Sequence, residues 1–154
     1  MSSSIYDKNM AYIEKKIPRI YDYINKKIND YNKNKWLGIG GKIEAGETSL
    51  DAVKRETKEE TNLDLIDCVY RGKIHFYFDE FEELMDVYYS NNFKGKLKEC
   101  NEGDLKYIPK KDIFNLELWP SDYLFLDVLM KTDEIFDFTF YYENNKLKKT
   151  IRND

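Results

Sequence analysis

Residues 40–63, GGKIEAGETSLDAVKRETKEETNL, constrain this chain more than any other stretch. The segment opens on a glycine pair and runs into a helix marked at both ends. Thr48 is placed as an N-cap, with Asp51 three positions on in a capping-box arrangement. Thr61 is the expected last helical residue, and Asn62 suits the left-handed position after it, where Gly is commonest. On a wheel of about 100° per residue, Glu56, Glu59 and Glu60 share one arc. Leu50, Val53 and Thr57 form the adjoining stripe, which is expected to face the core, and Ala52 leaves open space near the acids. Lys54 and Lys58 point to the far side. Clustered carboxylates at helical spacing repel by roughly 0.2–0.5 kcal/mol per pair, and a solvated face would intersperse lysines among them. Hard divalent cations such as Mg²⁺ take oxygen ligands. Composition alone leaves two readings open: a solvated acidic face, or a metal site at the edge of the buried stripe.

The remainder of the chain limits what such a site can serve. With 154 residues, 42% of them hydrophobic and 16% aromatic, the chain can build a real core. No repeat or Pro/Gly-rich linker divides it, so residues 1–154 are expected to form a single domain. A net charge of −4 argues against a nucleic-acid polymer as partner. It leaves room for a small anionic ligand, because a bound cation reverses the local sign. There is no apolar signal core in MSSSIYDKNM and no apolar run long enough to span a bilayer. Cys68 and Cys100 lack metal-ligand spacing and read as two reduced thiols, with a single disulfide as the alternative. A cytoplasmic chain with no membrane partner is the expectation.

Strands and helices alternate, which implies an α/β domain with a mixed sheet. Residues 10–28 are ambiguous: Ile13, Ile17, Ile20, Ile24 and Ile28 recur near helical spacing, but Pro18 interrupts them and the tyrosines suit strands. Residues 29–42 read as a loop. Ile74, Phe76 and Phe78 alternate with Lys73, His75 and Tyr77, the pattern of a strand, with a second strand over 83–91. His75, the single histidine, reads as an ordinary strand residue. Residues 94–106 read as a long polar loop. Ser121 is the expected cap of a second helix carrying Leu124, Val128 and Leu129, and Asn144-Asn145 is a hairpin turn between residues 136–142 and 147–151.

The spacing of Gly41, Glu47, Arg55-Glu56, Glu59-Glu60 and Leu63, led by GGKIEAGE, resembles the signature box of the Nudix hydrolases. Thr57 stands where that family usually has an aliphatic residue, and Asn62 where it has Gly. The Thr57 hydroxyl is expected to bond back to a helix carbonyl. The resemblance implies an α/β/α sandwich around a mixed β-sheet, with two N-terminal strands broken near Pro18. It also implies cleavage of a nucleoside diphosphate linked to another group. Carried over by position, Glu56, Glu59 and Glu60 are Mg²⁺ ligands (Mn²⁺ being the alternative ion), and the Gly40 carbonyl adds another. Arg55 pairs with Glu47 and orients the helix. Lys42 either meets phosphate or is a solvated loop lysine. The catalytic base is Glu59, Glu60 or Glu102 of the long loop, where related enzymes bring an extra acid to the metals.

GKIHFYFDEFEELMDVY (72–88) and LWPSD (118–122) are similar to the 8-oxo-dGTP diphosphatase branch, which hydrolyses oxidised purine nucleoside triphosphates. There the base sits in an aromatic pocket, whose wall matches Phe76, Phe78 and Trp119 here; core packing is the competing role for these rings. Asp122 matches an acid that hydrogen-bonds the purine edge, and a first-turn helix acid is its alternative. Leu37 stands where animal members carry an Asn that contacts the base, Ser121 where they carry a second Asp, and Ile24 near the position of an N-terminal Arg.

Overall fold

The computed structural model describes the backbone of residues 4–17, 20–28, 35–97 and 105–154, and the side chains of 35–97 and 108–154. Two strands flank Pro18, β1 (Ser4–Ile17) and β2 (Ile20–Ile28). Two short strands follow, β3 (Lys35–Leu37) and β4 (Ile39–Lys42). After the helix α1 (Ser49–Thr61) come the long hairpin strands β5 (Asp64–Tyr77) and β6 (Phe81–Lys94). β7 (Leu105–Pro109) runs into a 3₁₀ turn (Lys110–Asn115) ahead of α2 (Pro120–Lys131), and β8 (Phe136–Glu143) and β9 (Lys146–Arg152) close the chain.

The sheet is mixed, in the order β3-β2-β1-β6-β5-β8-β9, with β4 also paired to β1 and β7 to β2. β1–β6 and β5–β8 are parallel; the other pairs are antiparallel. β1 serves both halves. Its residues from Ser4 to Ile13 pair with β6, and those from Glu14 to Ile17 turn back along β2.

Period-two alternation sends side chains to both faces of the sheet. On β6, Met85 and Val87 enter one apolar cluster, whereas Tyr88 enters the other. The larger cluster lies under α2, where Phe125, Leu126 and Leu129 meet Ile74, Phe76 and the β8 stripe Phe136, Phe138, Phe140 and Tyr142. The smaller joins Val53 of α1 to Ile39, Leu63, Leu65 and Tyr88. A helix on each face of a mixed sheet is the α/β/α arrangement the sequence implies.

Several expectations need correction. Residues 35–37 and 39–42 are strands, not loop. Both are too short to show a period, β4 holds two glycines, and their identity comes from pairing with β2 and β1. Leu50 is 39% exposed, while Ala52 is fully buried and leaves no open space. The Thr57 hydroxyl is buried with no partner, and it is Thr61 that bonds back, its Oγ1 donating to the Thr57 carbonyl at 2.6 Å. Ser121 does not cap α2. The helix begins at Pro120, whose fixed φ suits the first helical position, with Trp119 as the N-cap and no side-chain cap bond. Leu124 is exposed.

Candidate functional site

α1 is set by its own ends. Thr48 Oγ1 accepts from the Asp51 N–H at 3.0 Å and the Asp51 carboxylate accepts from the Thr48 N–H at 3.3 Å. Asn62 closes the helix at φ 68°, its N–H donating to the Lys58 carbonyl. Ser49 Oγ donates to Asp86 of β6 at 2.7 Å, tying the first turn to the sheet. With Ala52, Val53, Thr57 and Thr61 buried, Glu56 and Glu60 are half-covered at the border of that face and Glu59 is exposed.

The glycine pair lies against these acids. The Gly40 N–H donates to Glu60 Oε2 at 3.1 Å. A Cβ on Gly41 would come within 2.8 Å of the Glu56 carboxylate, so only glycine lets that carboxylate rest on the β4 backbone. Arg55 lies across the same edge. Its Nε donates to Glu47 Oε2 at 2.6 Å, and its Nη2 donates to Glu47 Oε1 at 2.9 Å and the Lys42 carbonyl at 3.2 Å. Nη1 reaches Glu56 at 3.0 Å and Glu59 at 3.1 Å. The Arg55 hydrogen bond, helped by the Glu44 amide, holds the Glu47 carboxyl below its ordinary range, and the bond to Glu47 holds Arg55 ever more firmly protonated. The Lys42 side chain is exposed at the end of β4. Glu102 lies outside the described residues, as does Cys100.

As placed, no three His, Cys, Asp or Glu side chains among the described residues converge on one metal position. Glu56 and Glu59 are each bound to Arg55, and Glu60 to the Gly40 amide. The donor chemistry nevertheless fits a hard divalent cation: every candidate atom is oxygen, and the Gly41 cradle leaves a carboxylate room against the backbone.

A second group forms at the start of α2. Phe76, 6% exposed, is a core residue, 5.7 Å from Phe140 between ring centroids. Phe78 and Trp119 are only partly buried. All three rings meet at Tyr142, which stacks on Phe78 at 5.5 Å, takes Trp119 edge-on at 5.6 Å and lies 6.5 Å from Phe76. A small cavity of about 220 Å³ opens beside it, lined by Phe78, Phe81, Tyr142, Asp79, Glu80 and Asn145. Tyr142 also turns to the helix. Its hydroxyl accepts from the Ser121 N–H at 3.0 Å and donates to Ser121 Oγ at 2.6 Å; Ser121 Oγ donates to Asp122 Oδ1 at 3.2 Å. Burial pushes the Tyr142 phenol up to about 12 against the pull of its Ser121 hydrogen bonds, and the neighbouring Asp122 charge adds to the rise. Asp122 itself is 5% exposed.

Sequence reasoning missed Tyr142. Its signal was the stripe Phe136, Phe138, Phe140, Tyr142, in which one hydroxyl ends an otherwise apolar face of β8. The segment from β3 to β4 joins the two groups. Leu37 lies in the α2-side cluster, Ile39 in the α1-side one, and the Lys35 ammonium sits 5.8 Å over the Trp119 ring. A larger cavity of about 470 Å³, between Arg71 and the end of α2, includes none of the site residues singled out from the sequence. No helix among the described residues is long and apolar enough to cross a membrane.

Comparisons with known proteins point to one family. The model of the NUDIX domain family matches residues 23–129. The chain is 33% identical over 113 residues to the uncharacterized Nudix hydrolase YvcI of Bacillus subtilis, covering 70% of this chain and 72% of that one. It is 32% identical over 126 residues to the oxidized purine nucleoside triphosphate hydrolase of Mus musculus, covering 79% and 80%. The crystal structure of the MutT protein from Bacillus halodurans superposes with a TM-score of 0.84 at 22% identity, over 96% of this chain and 97% of that one, a likeness of fold. The matched residues include the acidic edge of α1 and the glycine pair beneath it, and the chain belongs to the Nudix hydrolases, which act on phosphoanhydride bonds of nucleoside diphosphate derivatives.

Proposed function

We propose that the chain is a Mg²⁺-dependent pyrophosphohydrolase that cleaves a nucleoside triphosphate to the monophosphate and pyrophosphate, acting on an oxidised purine such as 8-oxo-dGTP in the cytoplasmic nucleotide pool. The observation that carries this reading is the carboxylate edge of α1 seated on Gly40 and Gly41. Glu56, Glu59, Glu60 and the Gly40 carbonyl would hold the ion, with Mn²⁺ able to replace Mg²⁺. When bound, the ion neutralises phosphate oxygens and lowers the pKa of water. Arg55, anchored on Glu47, orients the helix and shares its charge with Glu56 and Glu59. Glu59, Glu60 or Glu102 accepts the proton of the attacking water as its oxygen bonds to phosphorus. The bridging P–O bond then breaks and pyrophosphate leaves. Lys42 is placed to meet the phosphate chain. Phe78 and Trp119, backed by Phe76 and Tyr142, offer an apolar wall for a base, and Asp122 a hydrogen-bonding group. The likeness to the mouse hydrolase over 79% of the chain supports the choice of an oxidised purine.

A panel of 8-oxo-dGTP, dGTP, dCTP and ADP-ribose with Mg²⁺, resolved by product, tests this reading. Nucleoside monophosphate and pyrophosphate should form fastest from 8-oxo-dGTP. Asp122→Ala should cost roughly 1–3 kcal/mol of discrimination between it and dCTP. Cleavage of ADP-ribose alone would move the assignment to a nucleoside diphosphate conjugate, and no turnover of any of the four would make this a nucleotide-binding module.

A further inference from the structure

We infer that Tyr142 and Ser121 are positioning residues that fix Asp122 as a hydrogen-bond acceptor, so that the pocket selects a base edge presenting adjacent donors, the guanine type, over one presenting an acceptor there, the adenine type. The inference rests on the nucleotide reading above and specifies which edge that site reads.

The direction of the hydrogen-bond chain carries it. An amide N–H only donates, and that of Ser121 points at the Tyr142 oxygen at 3.0 Å. The Tyr142 proton then goes to Ser121 Oγ at 2.6 Å, and the Ser121 proton to Asp122 Oδ1 at 3.2 Å. Reversing the chain would make the Tyr142 oxygen accept from both the amide and the hydroxyl of Ser121, and its own proton would leave its short bond to Ser121. The forward chain satisfies all three residues and ends on a carboxylate that accepts. Its members cannot readily turn to solvent, since Ser121 is fully buried and Tyr142 and Asp122 are each 5% exposed.

Two features hold the chain in place. The Tyr142 ring stacks on Phe78 and takes Trp119 edge-on, and two bonds to Ser121 hold its hydroxyl. Pro120 starts α2, so Ser121 and Asp122 sit in the first turn, where the helix dipole favours a negative charge. Each carboxylate oxygen carries two lone pairs, so Oδ1 can take the Ser121 proton and a base proton together. Guanine offers N1–H and the 2-amino group side by side. Adenine offers its 6-amino group beside the N1 lone pair, which an accepting carboxylate oxygen repels.

The experiment compares kcat/KM for 8-oxo-dGTP and 8-oxo-dATP, which share the C8 oxygen and differ in this edge. Wild type should prefer 8-oxo-dGTP. Tyr142→Phe and Ser121→Ala should each shrink the ratio by about tenfold, mainly through KM, and the double variant should shrink it no further than either alone. Asp122→Asn, which can donate as well as accept, should move the ratio toward 8-oxo-dATP. If Asp122→Asn moves the ratio while Tyr142→Phe and Ser121→Ala leave it at the wild-type value, the relay is overturned and Asp122 still reads the base. A wild-type preference for 8-oxo-dATP also overturns it. Absence of wild-type turnover on either triphosphate overturns the proposed function, and the inference with it. Should Tyr142→Phe fail to fold, Ser121→Ala decides alone.

Discussion

At the scale of single residues, the site depends on close approach. Gly41 admits the Glu56 carboxylate where a methyl group would sit within 2.8 Å of it. The obstructed group is the far end of a flexible side chain, so Gly41→Ala should fold. It should melt with a stability within about 1 kcal/mol of wild type while losing on the order of tenfold or more in turnover as Glu56 is displaced. Wild-type turnover in that variant would show the cradle to be irrelevant. Tyr142 gives a second residue-scale prediction. Its phenol rises from an ordinary 10 to about 12 through burial, so folding favours the protonated form. That contribution is whole below pH 10 and is lost as pH rises through about 12. Between about pH 9 and pH 12 the wild type should lose roughly 2 kcal/mol more stability than Tyr142→Phe. Parallel denaturant curves for the two proteins across that range would contradict the buried, donating phenol.

At the scale of elements, α1 was legible because its signals are local. A capping box, a left-handed Asn and a 3.6-residue period all lie within the helix or one residue of it. The acids of its exposed border follow from the same spacing, whereas the Arg55–Glu47 pair was implied by the resemblance to the Nudix box. What was not legible depends on distant partners. β3 and β4 are strands because β2 and β1 pair with them. Ser121 looked like a cap because Ser often is one, yet Trp119-Pro120 starts the helix earlier and Tyr142, 21 positions away, recruits the freed hydroxyl. Thr57 illustrates the same limit. Its spacing marked it as core-facing, but the back-bond forms one turn later, from Thr61 Oγ1 to the Thr57 carbonyl, while Thr57 Oγ1 itself stays buried without a partner. Thr57→Val keeps the shape and removes the orphaned hydroxyl, so it should raise stability by about 1 kcal/mol or more in urea unfolding. Destabilisation would mean that the hydroxyl has a partner in solution.

At the scale of the whole molecule, the mixed sheet separates two groups of side chains. On one side the carboxylates of α1 lie against the short glycine-containing strand β4, and the α2 side gathers Phe78, Trp119, Tyr142 and Asp122. The segment 35–42 connects them, with Lys35 over Trp119 at one end and Gly40 and Gly41 under the acids at the other. The proposed activity requires the acidic edge of α1 to be a metal-dependent hydrolytic centre. Glu60→Gln tests it most directly, because the new side-chain oxygen can still accept from the Gly40 N–H while the negative charge is gone. Pyrophosphate release from 8-oxo-dGTP, followed against Mg²⁺ concentration for wild type and Glu60→Gln, should show turnover that requires the ion and falls by about 10²-fold or more in the variant. Near-normal release by Glu60→Gln at saturating Mg²⁺, with its fold intact, would contradict the account.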